Sequence, residues 1–403
     1  MMTAATVSEE DTHVLSTGSL SLSISHCTQD GLFRIAERQN PKRAFLFVST
    51  VLGRHIPVRP NAHRKALRAL ADKVMPHLGS GPVLVMSYAE TAIGLGLGVF
   101  DVLSREMKGH PMAYLPTTRF SPKGEEPWFT MREEHSHAID HMIMRPAFAG
   151  MTCAPDATLV LVDDETTTGN TFAGLAKGLA SVGETPARLV LVTLTDWSDC
   201  DSRAAVQAIF PEADVQTVSL LVGRYRWDPA PGMTPQPLPP GCAPCCAPWS
   251  PGPQMPFAVP RSGIDSRTHA GERRAWREFV SRRLIPNIPK DACVLVVGTG
   301  EDVWHPFLAA ERIENAGHAT RSIATTRSPV ARGPVVPHQI TFPDHYGLGI
   351  TMYLNNVQPE AWDHVMLFSE TQFDGICPDL RATLGSGVVI TLDAVRTMAG
   401  DVL

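Results

Sequence analysis

"LVLVDDETTTGNTFAGL", residues 159–175, sets four apolar residues directly against two carboxylates and a run of hydroxyls. Leu159 to Val162 have the unbroken aliphatic character of a strand buried on both faces, the mark of a parallel sheet covered by helices. From Phe172 to Val182 the chain reads as a helix. Asp163 and Asp164 therefore stand at the carboxyl end of a strand, where open α/β sheets bind ligands. Thr167, Thr168, Gly169, Asn170 and Thr171 then read as a small nest. Gly169 lets the backbone come close, several N–H groups point inward, and the helix adds the positive end of its dipole. Such a cup suits a phosphate monoester, and the two acids suit the vicinal diol of a ribose on the same ligand.

Working outward, the same strand-loop-helix grammar recurs. "VLVMSYAETAIGLG" places a strand at Val83–Met86, a loop at Ser87–Thr91 and a small-residue helix start; "ARLVLVTLTDW" is a further strand. The expectation is an α/β fold, a parallel sheet domain followed by a second, smaller α/β domain of Rossmann-like kind. Around Trp227 the composition turns proline-rich, with Cys242, Cys245 and Cys246 in C-x₂-C-C spacing and no matching second pair. The expected division is a flexible tail at 1–25, a first domain at 26–226, a linker at 227–260 and a second domain at 261–403.

With 403 residues the chain exceeds what one core usually supports, and its 43% apolar and 19% charged content is that of a globular protein. A formal charge of −6 argues against a nucleic-acid binder working through a basic face. The acidic, polar N-terminus lacks a secretory h-region, no apolar run approaches the roughly 20 residues of a membrane span, and eight cysteines are too sparse for a disulfide scaffold. The expected address is cytoplasmic.

Four apolar residues, Asp-Asp, two variable positions and a Thr/Gly/Thr-rich loop resemble the motif of type I phosphoribosyltransferases that binds phosphoribosyl pyrophosphate (PRPP). The resemblance implies that Asp163 and Asp164 hold the ribose hydroxyls, directly or through Mg²⁺, and that Thr167 to Thr171 hold the 5′-phosphate. It further implies a pyrophosphate loop, for which backbone N–H groups of Ala89, Glu90 and Thr91 are candidates, Glu90 also serving Mg²⁺ or a water. A cationic lid follows, for which "YLPTTRFSPKGEEPWFTMREEHSHAIDH" offers Arg119, Lys123 and Arg132, with Glu133 and Glu134 as candidates for proton work. His137 and His141 have the i, i+4 spacing of a metal pair but no evident third ligand. Two departures from the family pattern stand out. Glu165 occupies a place that is usually apolar, and Thr167 one where some purine enzymes carry an acid. Arg43, Arg54 and His55 are candidates for a hood over the acceptor.

In the second domain, Gly298, Thr299 and Gly300 end one strand and Thr326, Arg327 and Ser328 end the next, so that two adjacent strand ends could form an anion site in one crevice. Thr326-Arg327-Ser328-Pro329 resembles the namesake motif of the TRSP domain, which follows a phosphoribosyltransferase-like domain in bacterial proteins of tellurite-resistance and stress operons. That resemblance implies PRPP, Mg²⁺ and a small acceptor as partners, a nucleotide-like product, neither nucleic acid nor membrane, and a homodimer. The TRSP domain would bind a second small anionic ligand, receive the product or complete the active site. Two rivals use the same cup: a non-catalytic PRPP or nucleotide sensor, and an enzyme cleaving an N-glycosidic bond.

Overall fold

The computed structural model describes residues 11–40, 43–120, 125–131, 141–199, 201–233, 240–248, 260–385 and 388–391. The first module opens with β1 (Asp11–Leu15), β2 (Gly18–Cys27), β3 (Phe33–Glu37), β4 (Phe45–Ser49) and α1 (Pro60–Val74). It continues with β5 (Val83–Ser87), α2 (Ile93–Glu106), β6 (Met112–Pro116), β7 (Pro127–Met131), β8 (His141–Met144), β9 (Thr158–Val162) and β10 (Glu165–Thr166). Helix α3 (Asn170–Ser181), β11 (Arg188–Asp196), α4 (Asp201–Gln207) and β12 (Asp214–Pro229) complete it.

The central strands run parallel in the order β12-β11-β9-β5-β6. Every residue of β5 and β9 is buried, as their unbroken aliphatic runs require. Ser87 of β5 is registered against Val162 of β9, so their carboxyl ends lie level and the loops that follow emerge side by side. That register creates the site described below.

Two expectations are corrected at the sheet edges. The segment read as a flexible tail forms β1 and β2 from Asp11 onward, β2 pairing antiparallel with β12. In "SLSLSIS" Leu20, Ser21 and Leu22 are buried and Ser19, Ser23 and Ile24 are half-buried, as befits a strand flanked by β1 on one side and β12 on the other. Beside the main sheet, β4 pairs antiparallel with β3 in a separate ribbon. Likewise β12 continues through Pro229, into the segment read as linker, and Cys242 N–H of that segment bonds Gly349 O at 3.1 Å.

The second module begins with β13 (Ile264–Asp265), which pairs antiparallel with β6 and so adds an edge to the first sheet. Next come α5 (Ser266–Phe279), β14 (Cys293–Gly298), α6 (Trp304–Glu314), β15 (Ala319–Ala324), β16 (Gln339–Pro343) and β17 (Thr351–Asn355). Last are β18 (His364–Ser369), α7 (Pro378–Thr383) and β19 (Val388–Thr391). Its sheet is parallel in the order β15-β14-β18-β19, with β16 and β17 as an antiparallel hairpin. Both modules are thus α/β, as the strand grammar predicts.

One apolar cluster crosses between them, taking in Leu67 and Phe100 of the first module and Trp276, Trp304 and Phe307 of the second. Each large side chain fully buried there contributes about 1.5–3 kcal/mol. Asp101, wholly buried on α2, accepts from Arg64 at 2.9 Å, Arg273 at 2.5 Å and His269 at 3.1 Å. Burial opposes its ionisation, but His269 and the two arginines overcome this and hold its carboxyl well below the usual range. Among the described residues no helix is long and apolar enough to cross a membrane.

Candidate active site

The turn after β9 is fixed by the edge of β11. Asp163 N–H donates to Val192 O at 2.9 Å, Leu194 N–H to Asp164 O at 3.1 Å and Trp197 N–H to Thr166 O at 2.8 Å. With its backbone held in this way, the Asp163 and Asp164 side chains line a cavity of about 870 Å³ that Thr167 to Thr171 also line. Gly169 caps α3 with φ +73°, and a Cβ there would meet the backbone of Ser202, so only glycine fits. Asn170 N–H reaches Thr168 Oγ1 at 3.4 Å and Gly169 N–H reaches Thr166 Oγ1 at 3.3 Å, the hydrogen bonds of a loop curled on itself.

Burial raises the Asp164 carboxyl to about 6, and the neighbouring Glu165 charge adds to the shift, while the Asp163 and backbone hydrogen bonds and Arg54 pull against it. Glu165, the unexpected acid, has a local reason. It accepts from Arg43 Nη1 at 2.7 Å, and the Arg43 guanidinium lies 4.8 Å from the Phe45 ring centroid and 5.3 Å from that of Phe47. The β3–β4 ribbon is thereby tied to the cup.

The loop after β5 meets the cup through Tyr88, whose hydroxyl donates to Thr171 O at 3.2 Å. The Ala89–Glu90 peptide is cis. Ala89 is not a free donor as expected, because its N–H goes to Thr117 Oγ1 at 2.8 Å; Glu90 and Thr91 N–H groups donate to no protein acceptor among the described residues. Thr117 Oγ1 also lies 2.8 Å from His141 Nδ1, and Arg119 Nη2 lies 2.9 Å from His141 Nε2. Arginine only donates, so Nε2 accepts and Nδ1 carries the proton toward Thr117. Both ring nitrogens of His141 are therefore engaged, and the residue opens β8 rather than sitting on the helix that an i, i+4 pair would need. Among the described residues no cluster of three or more His, Cys, Asp or Glu can hold a metal ion.

Glu90 is buried at the wall of the cavity. Its Oε1 accepts from Arg327 N–H at 3.1 Å and lies 4.0 Å from Arg54 Nη1. Arg54, expected in a hood, is instead buried beneath the loop, donating to Glu90 O and, at 2.5 Å, to Thr325 O. Arg43 and His55 do line the cavity, but burial, with Arg54 and Arg38 beside it, lowers the His55 pKa to about 3 and leaves that ring neutral.

The second module enters the same cavity through Thr326, Arg327, Ser328 and Pro329. Gly298, Thr299 and Gly300 do not share it, which corrects the expectation of one crevice between the two strand ends. Thr299 N–H and Oγ1 both bond Phe368 O, at 3.1 and 3.0 Å, and a Cβ on Gly300 would collide with the Tyr346 hydroxyl. Lys123, Arg132, Glu133, Glu134 and His137 lie outside the described residues. Sequence reasoning missed Arg38, Asn40, Tyr88, Lys177 and the Leu348–Thr351 segment, all lining the cavity. None stands in a motif, and only the fold gathers them.

An α/β chain with a hydroxyl-rich cup after β9 and a second loop level with it after β5 has the architecture of a type I phosphoribosyltransferase. Residues 32–224 match the family described as phosphoribosyl transferase, and residues 260–377 match the TRSP domain that lies C-terminal to it. The chain belongs to this two-module family. Among solved structures it is similar to the adenine phosphoribosyltransferase of Thermoanaerobacter pseudethanolicus, 17% identical over 47% of this chain and 95% of that one, TM-score 0.29. The adenine phosphoribosyl transferase of Trypanosoma brucei is 11% identical over 48% of this chain and 82% of that one, TM-score 0.34. The orotate phosphoribosyltransferase of Aeropyrum pernix is 19% identical over 40% and 71%, TM-score 0.25. At these identities and scores the likeness carries no substrate and no residue role to this chain. No curated protein matches it.

Proposed function

We propose that the chain transfers a 5-phosphoribosyl group from PRPP to a base-like nitrogen acceptor, releasing pyrophosphate and forming a nucleotide-like product. The observation that supports this most is a single cavity of about 870 Å³ lined at once by Asp163–Thr171, Ala89–Thr91 and, from the ribbon and its approach, Arg38, Asn40, Arg43, Leu46 and Phe47. That volume is near the upper end for small-molecule sites and has room for a sugar phosphate beside a flat acceptor.

In this reading the amides and hydroxyls of Thr167–Thr171 hold the 5′-phosphate, and Asp163 and Asp164 accept from the ribose hydroxyls. Glu90 and Thr91 N–H groups face the pyrophosphate; of the segment before His141, Lys123 and Arg132 would neutralise the leaving group and Glu133 would serve proton transfer. The acceptor nitrogen forms a bond to C1 with its lone pair, and the C1–O bond breaks with its electrons passing to the pyrophosphate oxygen. A proton on that nitrogen leaves to water. Charge develops on the leaving group, so fixed donors aimed there lower the barrier. Asp163 and Asp164 also fit Mg²⁺, which takes one or two carboxylates together with substrate phosphates and keeps its waters. When bound it would neutralise phosphate charge.

Calorimetric titration of PRPP with Mg²⁺ into wild type and Asp163→Asn/Asp164→Asn tests this. Loss of two charge-assisted hydrogen bonds is expected to cost about 3 kcal/mol or more, over a hundredfold in affinity. Binding that the variant loses, followed by pyrophosphate release with an acceptor, supports a transferase; binding without release under any acceptor points to a sensor. If neither folded protein binds PRPP, the reading fails.

A further inference from the structure

The namesake segment of the second module reaches the proposed transfer site in a fixed position. Thr326 N–H bonds Tyr353 O at 2.9 Å and Tyr353 N–H bonds Thr326 O at 2.8 Å, locking the end of the β15 excursion to β17. Ser328 N–H bonds Thr326 Oγ1 at 3.1 Å. Buried Arg54 joins the two modules by donating to the carbonyls of Glu90 and Thr325, and Arg327 N–H reaches Glu90 Oε1 at 3.1 Å. The backbone of Arg327 is therefore held against the loop after β5.

Its side chain is not used up by the protein. The Arg327 guanidinium, 14% exposed, makes no hydrogen bond among the described residues, and its ion partner there is Glu90, 4.0 Å away. Arg54 lies at the same distance from the same carboxylate. One carboxylate is shared between two guanidiniums, Arg54 also facing the charge of Asp164, so the Arg327 guanidinium keeps its N–H donors for the cavity beside Glu90 and Thr91. Arginine matches phosphate oxygens through two parallel N–H bonds, so a pyrophosphate is the ligand that this charge and shape suit.

We propose that Arg327 is a pyrophosphate-binding residue of the transfer site, supplied in cis by the second module, and that the TRSP segment thereby completes the active site. This rests on the transferase reading above. It gives the second module a place in the reaction without a ligand site of its own. Arg327 takes up charge on the leaving group as the C1–O bond breaks, and the sugar-phosphate cup is independent of it.

The test titrates the full chain with two probes, Mg²⁺-pyrophosphate and ribose 5-phosphate, in wild type, Arg327→Gln and Arg327→Lys. Since the side chain makes no described hydrogen bond, both variants should keep the wild-type melting temperature. The expected result is a tenfold to hundredfold loss of pyrophosphate affinity in Arg327→Gln. Partial recovery is expected in Arg327→Lys, with ribose 5-phosphate binding unchanged within about twofold in both. Wild type that binds both probes while Arg327→Gln binds pyrophosphate equally well overturns the inference and leaves the transferase reading standing. Parallel loss of both probes assigns Arg327 a structural role and overturns it too. Wild type that binds neither probe removes the transferase reading, and the inference with it.

Discussion

Two loops of this chain leave parallel strands at their carboxyl ends carrying glycine, threonine and acid: Asp163–Thr171 after β9, and Thr299–Asp302 after β14. Each turns on a left-handed glycine, Gly169 with φ +73° and Gly300 with φ +62°. The first opens on a cavity. The second is filled from within its own module. Glu301 N–H donates to Tyr346 Oη at 3.2 Å and to Glu370 Oε1 at 3.3 Å, and Arg261 Nη2 bonds Glu370 Oε2 at 2.9 Å. Burial would raise the Glu370 carboxyl, but the Arg261 charge and the Tyr346 hydroxyl hold it low, so it stays ionised in that position. A loop built to receive an anion therefore receives one, and the anion is a side chain. The Glu301 carboxylate then reaches across to the first module, accepting from Thr118 Oγ1 at 2.6 Å and Arg119 N–H at 2.7 Å. The first loop is built for a ligand and the second for assembly. Strand-end chemistry alone does not decide between them; what the rest of the chain puts in front of the loop does.

That contrast can be broken at the two glycines. In Gly300→Ala the new methyl group runs into the Tyr346 hydroxyl and Glu370 at a left-handed position, and both strain and overpacking apply. We expect a loss of about 4 kcal/mol in denaturant unfolding. A loss under about 1 kcal/mol would show that Tyr346 and Glu370 do not fill the loop. In Gly169→Ala the methyl group meets the Ser202 backbone, and α4 shifts or the cup opens. A smaller stability loss, about 2 kcal/mol, is expected with PRPP affinity reduced more than about tenfold. Equal affinity in Gly169→Ala and wild type would deny the cup its role.

These two loops also mark what was legible in the sequence. The cup is made of contiguous residues, so Asp163 to Thr171 could be read as one object from spacing alone. The second loop was misread because Arg261, Tyr346 and Glu370 come from distant parts of the chain, and nothing near Gly300 announces them. Arg54 is the same kind of case. A basic residue after a strand reads as part of a hood over the acceptor, yet the carbonyls of Glu90 and Thr325 give it a reason to be buried. Strands β1 and β2 were missed for the opposite reason. Leu20, Leu22 and Ile24 carry a period-two signal, but the serines between them resemble a polar tail until β12 is there to pair with. The central strands were clear because burial on both faces leaves little room for any residue but Val, Leu and Ile.

The finest test of the comparison is pH, because only the open loop holds a carboxyl that is raised and faces the cavity. Burial, then Glu165, lifts Asp164 to about 6, above its unfolded value of about 3.9. A folded-state pKa above the unfolded one means that the unfolded chain holds fewer protons between roughly pH 4 and 6. The stability linked to Asp164 is therefore full at low pH and lost as pH rises through about 6. Ligand affinity runs the other way, since only the ionised carboxylate accepts from ribose hydroxyls. Below pH 6 the dissociation constant for Mg²⁺-PRPP should climb by up to about tenfold per unit from this group. Phosphates of the ligand titrate near the same pH, so the readout is the ratio of wild type to Asp164→Asn across pH 4.5 to 8, in which the ligand's own protonation cancels. A ratio that favours wild type at pH 8 and closes toward pH 5 places a titrating Asp164 against the ligand. A ratio flat with pH would mean that the carboxyl is not the group the sugar meets, and the open loop would lose the feature that most distinguishes it from the filled one.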